Sequence, residues 1–123
     1  MFTGLIEQTG EVESFSGGNL VIRAPLWEEA DEGDSIGVDG SCLTVSRIRK
    51  GLLHFHCSRE TVSRTIAGGY VRGSGVNLER PLRLSDELHG HLVTGHIDET
   101  ASVLKVEKQG VDATFWFSFS RSR

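Results

Sequence analysis

The chain has 123 residues, 17 of them acidic and 13 basic, for a formal charge of −4, and its densest basic group is only Arg47, Arg49 and Lys50. Nucleic-acid binders carry a basic stripe and a basic excess, so nucleic acid is not an expected partner. The aliphatic runs fall far short of the roughly 20 residues a spanning helix needs, and Glu7 interrupts the start before a leader's apolar stretch forms, so a soluble, cytoplasmic protein without a membrane partner is expected.

Fifteen glycines and two prolines punctuate short runs rich in Val, Ile, Leu, Thr and Phe. That is the pattern of an all-β sandwich or barrel. Residues 4–14 read as a first strand, and Ser-Gly-Gly-Asn at 16–19 supplies turn chemistry before a second at 20–24. Strands follow at 35–39, 42–48 and 52–57, the last two joined across Arg-Lys-Gly at 49–51. In Leu-Leu-His-Phe-His-Cys, alternation puts Leu53, Phe55 and Cys57 on one face and Leu52, His54 and His56 on the other. Ser58 is placed to cap a short helix over 59–66 with Glu60 in its first turn, and Gly68-Gly69 stops it. Another strand spans 76–79. Six short strands and one small helix fit a closed antiparallel barrel, in which closure removes the aggregation-prone edges. Cys42 and Cys57, the only two cysteines, read as reduced thiols and not as a disulfide framework.

Residues 92–103, LVTGHIDETASV, then restate residues 1–12, MFTGLIEQTGEV, at a constant offset of 91. Thr3/Thr94, Gly4/Gly95, Ile6/Ile97, Thr9/Thr100 and Val12/Val103 are identical, and Asp98 keeps the charge of Glu7. A fixed long period marks duplicated structural units, so residues 1–91 are expected to form one unit and 92–123 the truncated opening of another. Residues 113–119 alternate with Phe115, Phe117 and Phe119 facing one way, in the place of 20–24, before Ser-Arg-Ser-Arg ends the chain. Such an apolar strand either covers the first barrel or awaits another chain, and self-association is expected.

Five blocks carry a family likeness: MFTGLIE at the start, GDSIGVDGSCLTV at 33–45, RETVSRT at 59–65, GVNLER at 75–80 and GHLVTGHID at 90–98. In order and in register from Met1 to about Phe119, they resemble the riboflavin synthase family. The resemblance implies two similar six-stranded Greek-key barrels, here an N-terminal lumazine-binding barrel at 1–91 and the start of a second, truncated lumazine-binding repeat at 92–123. It implies the dismutation of two molecules of 6,7-dimethyl-8-ribityllumazine into riboflavin and 5-amino-6-(ribitylamino)uracil, with no metal and no organic cofactor. It also implies a homo-oligomer, a trimer at full length, whose reacting pair meets between the N-terminal barrel of one subunit and the C-terminal barrel of a neighbour.

The family's ligand contacts carry over onto Gly4, Leu5 and Ile6, onto Cys42, Leu43 and Thr44, and onto His56, Cys57, Ser58, Arg59, Glu60 and Thr61. They finish on Gly95, His96 and Ile97. A flat amphipathic heterocycle needs apolar walls with a few convergent polar groups, and backbone beside Gly4 and Gly95 can approach a ring closely. Cys42 and Thr44 share a strand face, while Glu60 and Thr61 can accept from, or donate to, ribityl hydroxyls. Residue by residue, Cys-Leu-Thr-Val also reads as barrel core and Glu60 as a helix-end charge. Asp39 stands where the family commonly has asparagine, Ser41 where valine or cysteine is common, and His89 where glycine is more frequent.

The implied reaction needs a methyl proton removed, work that suits an imidazole titrating near neutrality. His96 is the candidate by resemblance, although its repeat counterpart is Leu5, so positioning or interface packing is the favoured reading over a chemical role. His54 and His56 share a face and His89 and His91 are two apart, yet no three- or four-ligand set at zinc-like spacing emerges. A non-catalytic flavin or lumazine carrier and an oligonucleotide-binding barrel are the competing functions, the latter without interleaved stacking aromatics.

Overall fold

Three two-residue turns set the register of the sheet. Gly17-Gly18 (φ 57° and 80°), Asp39-Gly40 (45° and 82°) and Lys50-Gly51 (52° and 74°) all hold left-handed backbone, the conformation whose twist matches that of an antiparallel hairpin. Asp39 is the sort of residue that tolerates it, through its short polar side chain. The computed structural model describes residues 1–24, 30–87 and 91–119; His89 and the terminal Ser-Arg-Ser-Arg lie outside them.

Strands β1 (Gln8–Ser16), β2 (Asn19–Arg23), β3 (Ser35–Val38), β4 (Ser41–Arg49), β5 (Leu52–His56) and β6 (Gly75–Glu79) close into one barrel in the order β1-β2-β5-β4-β3-β6. Antiparallel pairing of β6 with β1, from Gln8 opposite Leu78 to Glu11 opposite Gly75, shuts it. Val12, Leu20, Ile22, Ile36, Val38, Val45, Leu53, Phe55, Val76 and Leu78 fill the interior, each such side chain contributing roughly 1.5–3 kcal/mol by leaving water. The predicted alternation of 52–57 holds, with Leu53, Phe55 and Cys57 buried and His56 outside.

Most boundaries shift by one or two residues from the sequence reading, and two of the differences have a clear physical cause. The first strand starts at Gln8, not at residue 4, because the backbone before it turns towards a buried carboxylate. Glu79 accepts from Thr3 N at 2.5 Å, Thr3 Oγ1 at 2.9 Å and Gly4 N at 3.0 Å. Helix α1 (Arg59–Arg64) is shorter than 59–66 because Thr65 leaves helical backbone at φ −123° and ψ 173°. Its hydroxyl donates to Thr61 O at 2.7 Å and accepts from Ala67 N at 3.2 Å. The glycine pair Gly68-Gly69 therefore lies in the following 3-10 turn, Ile66–Gly69.

Beyond the barrel, β7 (Ala101–Gln109) and β8 (Asp112–Phe119) form a separate two-stranded hairpin. It repeats an irregularity of the first one. The β1–β2 register slips by one residue between Val12 and Ser14, and the β7–β8 register slips likewise between Val103 and Lys105. Both slips sit at the same repeat position, 91 residues apart. Val12 faces Ile22 and Val103 faces Phe117. The first pair is fully buried, whereas Val103 is 55% and Phe117 52% exposed. Among the described residues no helix is long and apolar enough to cross a membrane.

Candidate functional site

A cleft of about 230 Å³ opens where β4, α1 and the chain after Gly95 converge. From the strand side come Ser41 and Cys42. Their position is fixed by the Asp39-Gly40 turn, which is held from two directions: Tyr70 Oη donates to Asp39 Oδ2 at 2.7 Å and Asn77 N to Asp39 Oδ1 at 2.8 Å. Burial first, and then the bond to Asp39, push the Tyr70 phenol far above its ordinary value of 10.0.

Helix α1 supplies a second wall with Glu60, Thr61 and Arg64, flanked by Ser58 and Thr65. The Ser58 hydroxyl accepts from Thr61 N at 3.1 Å and lies 3.0 Å from Thr61 Oγ1. It thereby satisfies one of the free donors at a helix start. Glu60 and Arg64, one turn apart, pair at 3.2 Å with side chains 72% and 50% exposed, an arrangement worth only tenths of a kcal/mol to the fold.

The third wall is the repeated segment. Gly95 holds φ +83°, and its carbonyl accepts from Cys42 N at 3.1 Å. A Cβ at Gly95 would fall 2.8 Å from Cys42 Cβ and 2.9 Å from Phe2 Cε2, so only glycine lets this backbone lie against the barrel. Phe2 and Val93 pair just before it through two backbone hydrogen bonds. His96, Ile97 and Asp98 then line the cleft.

Seven of the residues singled out from the sequence meet here: Cys42, Ser58, Glu60, Thr61, Gly95, His96 and Ile97. The others do not line this cleft. Leu43 and Cys57 belong to the barrel core, and burial pushes the Cys57 thiol above its ordinary 9.0. Thr44 shares the exposed face of β4 with Cys42 without reaching the cleft. His56 stands on the outer face with its Nδ1 3.4 Å from Asn19 Oδ1, and Arg59 is exposed. Gly4, Leu5 and Ile6 stand apart from the cleft, with Leu5 in a separate depression beside Glu79 and Arg80.

Sequence reasoning missed Ser41, Arg64, Thr65 and Asp98 in the lining. Helical spacing would have found two of them, since Arg64 and Thr65 lie four residues after Glu60 and Thr61. Hydroxyls and charges dominate the walls, and Ile97 gives the main apolar surface, so the cleft matches a polyol better than a flat ring. Its volume is below the roughly 300 Å³ at which pockets for drug-sized ligands begin. Among the described residues no group of three or more His, Cys, Asp or Glu is gathered as for a metal ion.

Comparison with known proteins bears on what such a cleft holds. A family model described as the lumazine binding domain matches residues 3–81. Riboflavin synthase of Bacillus subtilis (strain 168) is 39% identical over 114 residues, which cover 89% of this chain and 53% of that protein. The chain thus spans about half the length of the curated relatives it matches. Two solved structures share the fold: LumP complexed with riboflavin, with a TM-score of 0.86 and 23% identity over 98% of this chain and 68% of that one, and LumP complexed with flavin mononucleotide, with 0.85 and 24% over 98% and 71%.

Proposed function

This chain belongs to the lumazine-binding domain family, and from that premise we propose that its cleft binds the ribityl tail of a lumazine or flavin, as one half of a riboflavin synthase. The observation that carries the reading is convergence: seven residues implied by the family likeness line one cleft with hydroxyl and carboxylate groups suited to a sugar alcohol. In it Ser58, Glu60 and Thr61 engage the ribityl chain, and the ring lies at the mouth against Ile97 and His96.

The reaction proposed for the whole enzyme is the dismutation of two 6,7-dimethyl-8-ribityllumazine molecules to riboflavin and 5-amino-6-(ribitylamino)uracil. Residues 92–119 are read as the opening of a second unit of the same kind, supported by the shared register slips of β1 and β7. Such a reaction requires two ligands held face to face, an advantage of proximity that a lone site does not supply. Gly4, Leu5 and Ile6 are the counterparts of Gly95, His96 and Ile97, and a Cβ built on Gly4 meets nothing within 4 Å. Half of a second cleft is therefore presented and left to be completed by another barrel. His96 is the proposed acid–base group, being the imidazole on the cleft wall. Self-association belongs to the same reading, with the aromatic face of the β7–β8 hairpin as the contact.

A titration of this chain with riboflavin, followed by quenching of flavin fluorescence, is expected to saturate at one ligand per barrel. Adding a C-terminal barrel as a separate chain is expected to yield riboflavin from the lumazine, and His96→Ala to abolish that yield while leaving saturable binding. A binding-only carrier is favoured by one observation, that residues of this chain alone supply all three walls of the cleft. Saturable binding with no turnover after complementation decides for it, and no binding at all rejects both readings.

A further inference from the structure

We infer that the cleft selects the free polyol over its phosphate ester, with Glu60 and Asp98 as the discriminating groups; the inference rests on the proposed reading of the cleft as the ribityl site. Two carboxylates and one guanidinium line it. The guanidinium of Arg64 is already engaged, 3.2 Å from Glu60 Oε1. The amide of Thr61 is likewise occupied by the Ser58 hydroxyl at 3.1 Å. An incoming phosphate therefore meets a guanidinium whose charge Glu60 already offsets and a Thr61 amide already engaged.

The chemistry of the two ligand classes separates them. A ribityl hydroxyl both donates and accepts, so it can donate to the Glu60 and Asp98 carboxylates and accept from the Ser41 and Thr61 hydroxyls. A phosphate at neutral pH carries a charge of about −1.5 to −2 and its oxygens act as acceptors. It would bring acceptors against acceptors and negative charge against two carboxylates. The chain as a whole, at −4, adds to the repulsion. Because Glu60 is 72% exposed, the effect is moderate and screened by salt.

Riboflavin and flavin mononucleotide differ only in that phosphate, so a paired titration isolates it. At pH 8, where the phosphate is a dianion, and about 20 mM salt, where the Debye length exceeds 20 Å, flavin mononucleotide is expected to bind about tenfold more weakly than riboflavin. Raising salt to about 0.5 M is expected to narrow the ratio to about threefold or less. Glu60→Gln removes one negative charge and frees Arg64, so the ratio is expected to fall towards one or invert. Arg64→Gln is expected to widen it, and Asp98→Asn to narrow it. Equal affinities in the unaltered chain, or a ratio indifferent to Glu60→Gln, overturn the inference while saturable riboflavin binding leaves the site intact. Failure of riboflavin itself to saturate overturns the reading of the cleft, and the inference with it.

Discussion

Phe2 and Val93 exchange two backbone hydrogen bonds of 2.7 Å, and the separation between them is the repeat offset itself, so a residue pairs with its own counterpart. Self-pairing of that kind places a local two-fold axis between the two strands. Gly4 and Gly95 are related across it and share left-handed backbone, at φ +81° and +83°. Their surroundings differ.

That difference gives the first prediction. Alanine at Gly95 meets the Cys42 and Phe2 side chains within 3 Å as well as an unfavourable φ, costing about 2–4 kcal/mol from overpacking and left-handed strain together. Alanine at Gly4 meets only the strain, about 1–2 kcal/mol. Urea titrations of Gly95→Ala and Gly4→Ala compare them directly, and equal losses contradict the asymmetry.

Glu79 is 6% exposed and anchors the amino-terminal segment through Thr3 and Gly4. Glu79→Ala leaves those amides without their charged acceptor, at about 1.5–3 kcal/mol. Amide exchange distinguishes local from global loss: Thr3, Gly4 and Val93 are expected to exchange far faster than β2 or β5. Uniform acceleration across the barrel instead means that the carboxylate supports the whole sheet.

The barrel was legible because its determinants are local. Two-residue turns of Gly, Asp and Lys-Gly, and alternation such as that of Leu53, Phe55 and Cys57, act within a few residues. What escaped was non-local. Nothing near residue 4 says that its backbone will bend towards Glu79, 75 positions away, so local pattern alone extends the first strand back to residue 4. The cleft shows the same division. Glu60, Thr61 and Gly95 lie within the blocks of family likeness, and membership of the family holds over residues 3–81. Gly4, Leu5 and Ile6 carry the same repeated motif as Gly95, His96 and Ile97, and a likeness in sequence alone does not separate the copy that lines the cleft from the copy that stands apart from it.

Above pH 9 the barrel is expected to lose stability progressively. Cys57 and Tyr70 have ordinary values of 9.0 and 10.0, and burial raises both in the folded chain. Between the unfolded and folded values the unfolded state releases a proton that the folded state keeps, so the contribution is whole below the unfolded value and declines as pH rises. Thermal melts from pH 8 to 11 measure the slope. Tyr70→Phe is expected to cost about 1 kcal/mol at pH 7 through the lost Asp39 bond, and to flatten the fall above pH 10. An unchanged slope in that variant removes Tyr70 from the account.

Val103, Phe115 and Phe117 occupy the hairpin positions that Val12, Leu20 and Ile22 fill in the first unit, yet they are 52–55% exposed where those are at 0%. The Phe115 and Phe117 rings stack on each other at 6.2 Å and leave the remainder of that face to water. Covering a further 100 Å² or so of each ring is worth about 2.5 kcal/mol, and both strands also present unpaired edges that favour pairing between chains. Sedimentation equilibrium of this chain is therefore expected to report concentration-dependent association at micromolar protein. Phe115→Ser with Phe117→Ser is expected to weaken it at least tenfold while the barrel's melting temperature moves by no more than a few degrees, since the hairpin adds nothing to the barrel core. Association that survives the double substitution locates the contact elsewhere, with the exposed Leu5 and Ile6 the next surface to alter.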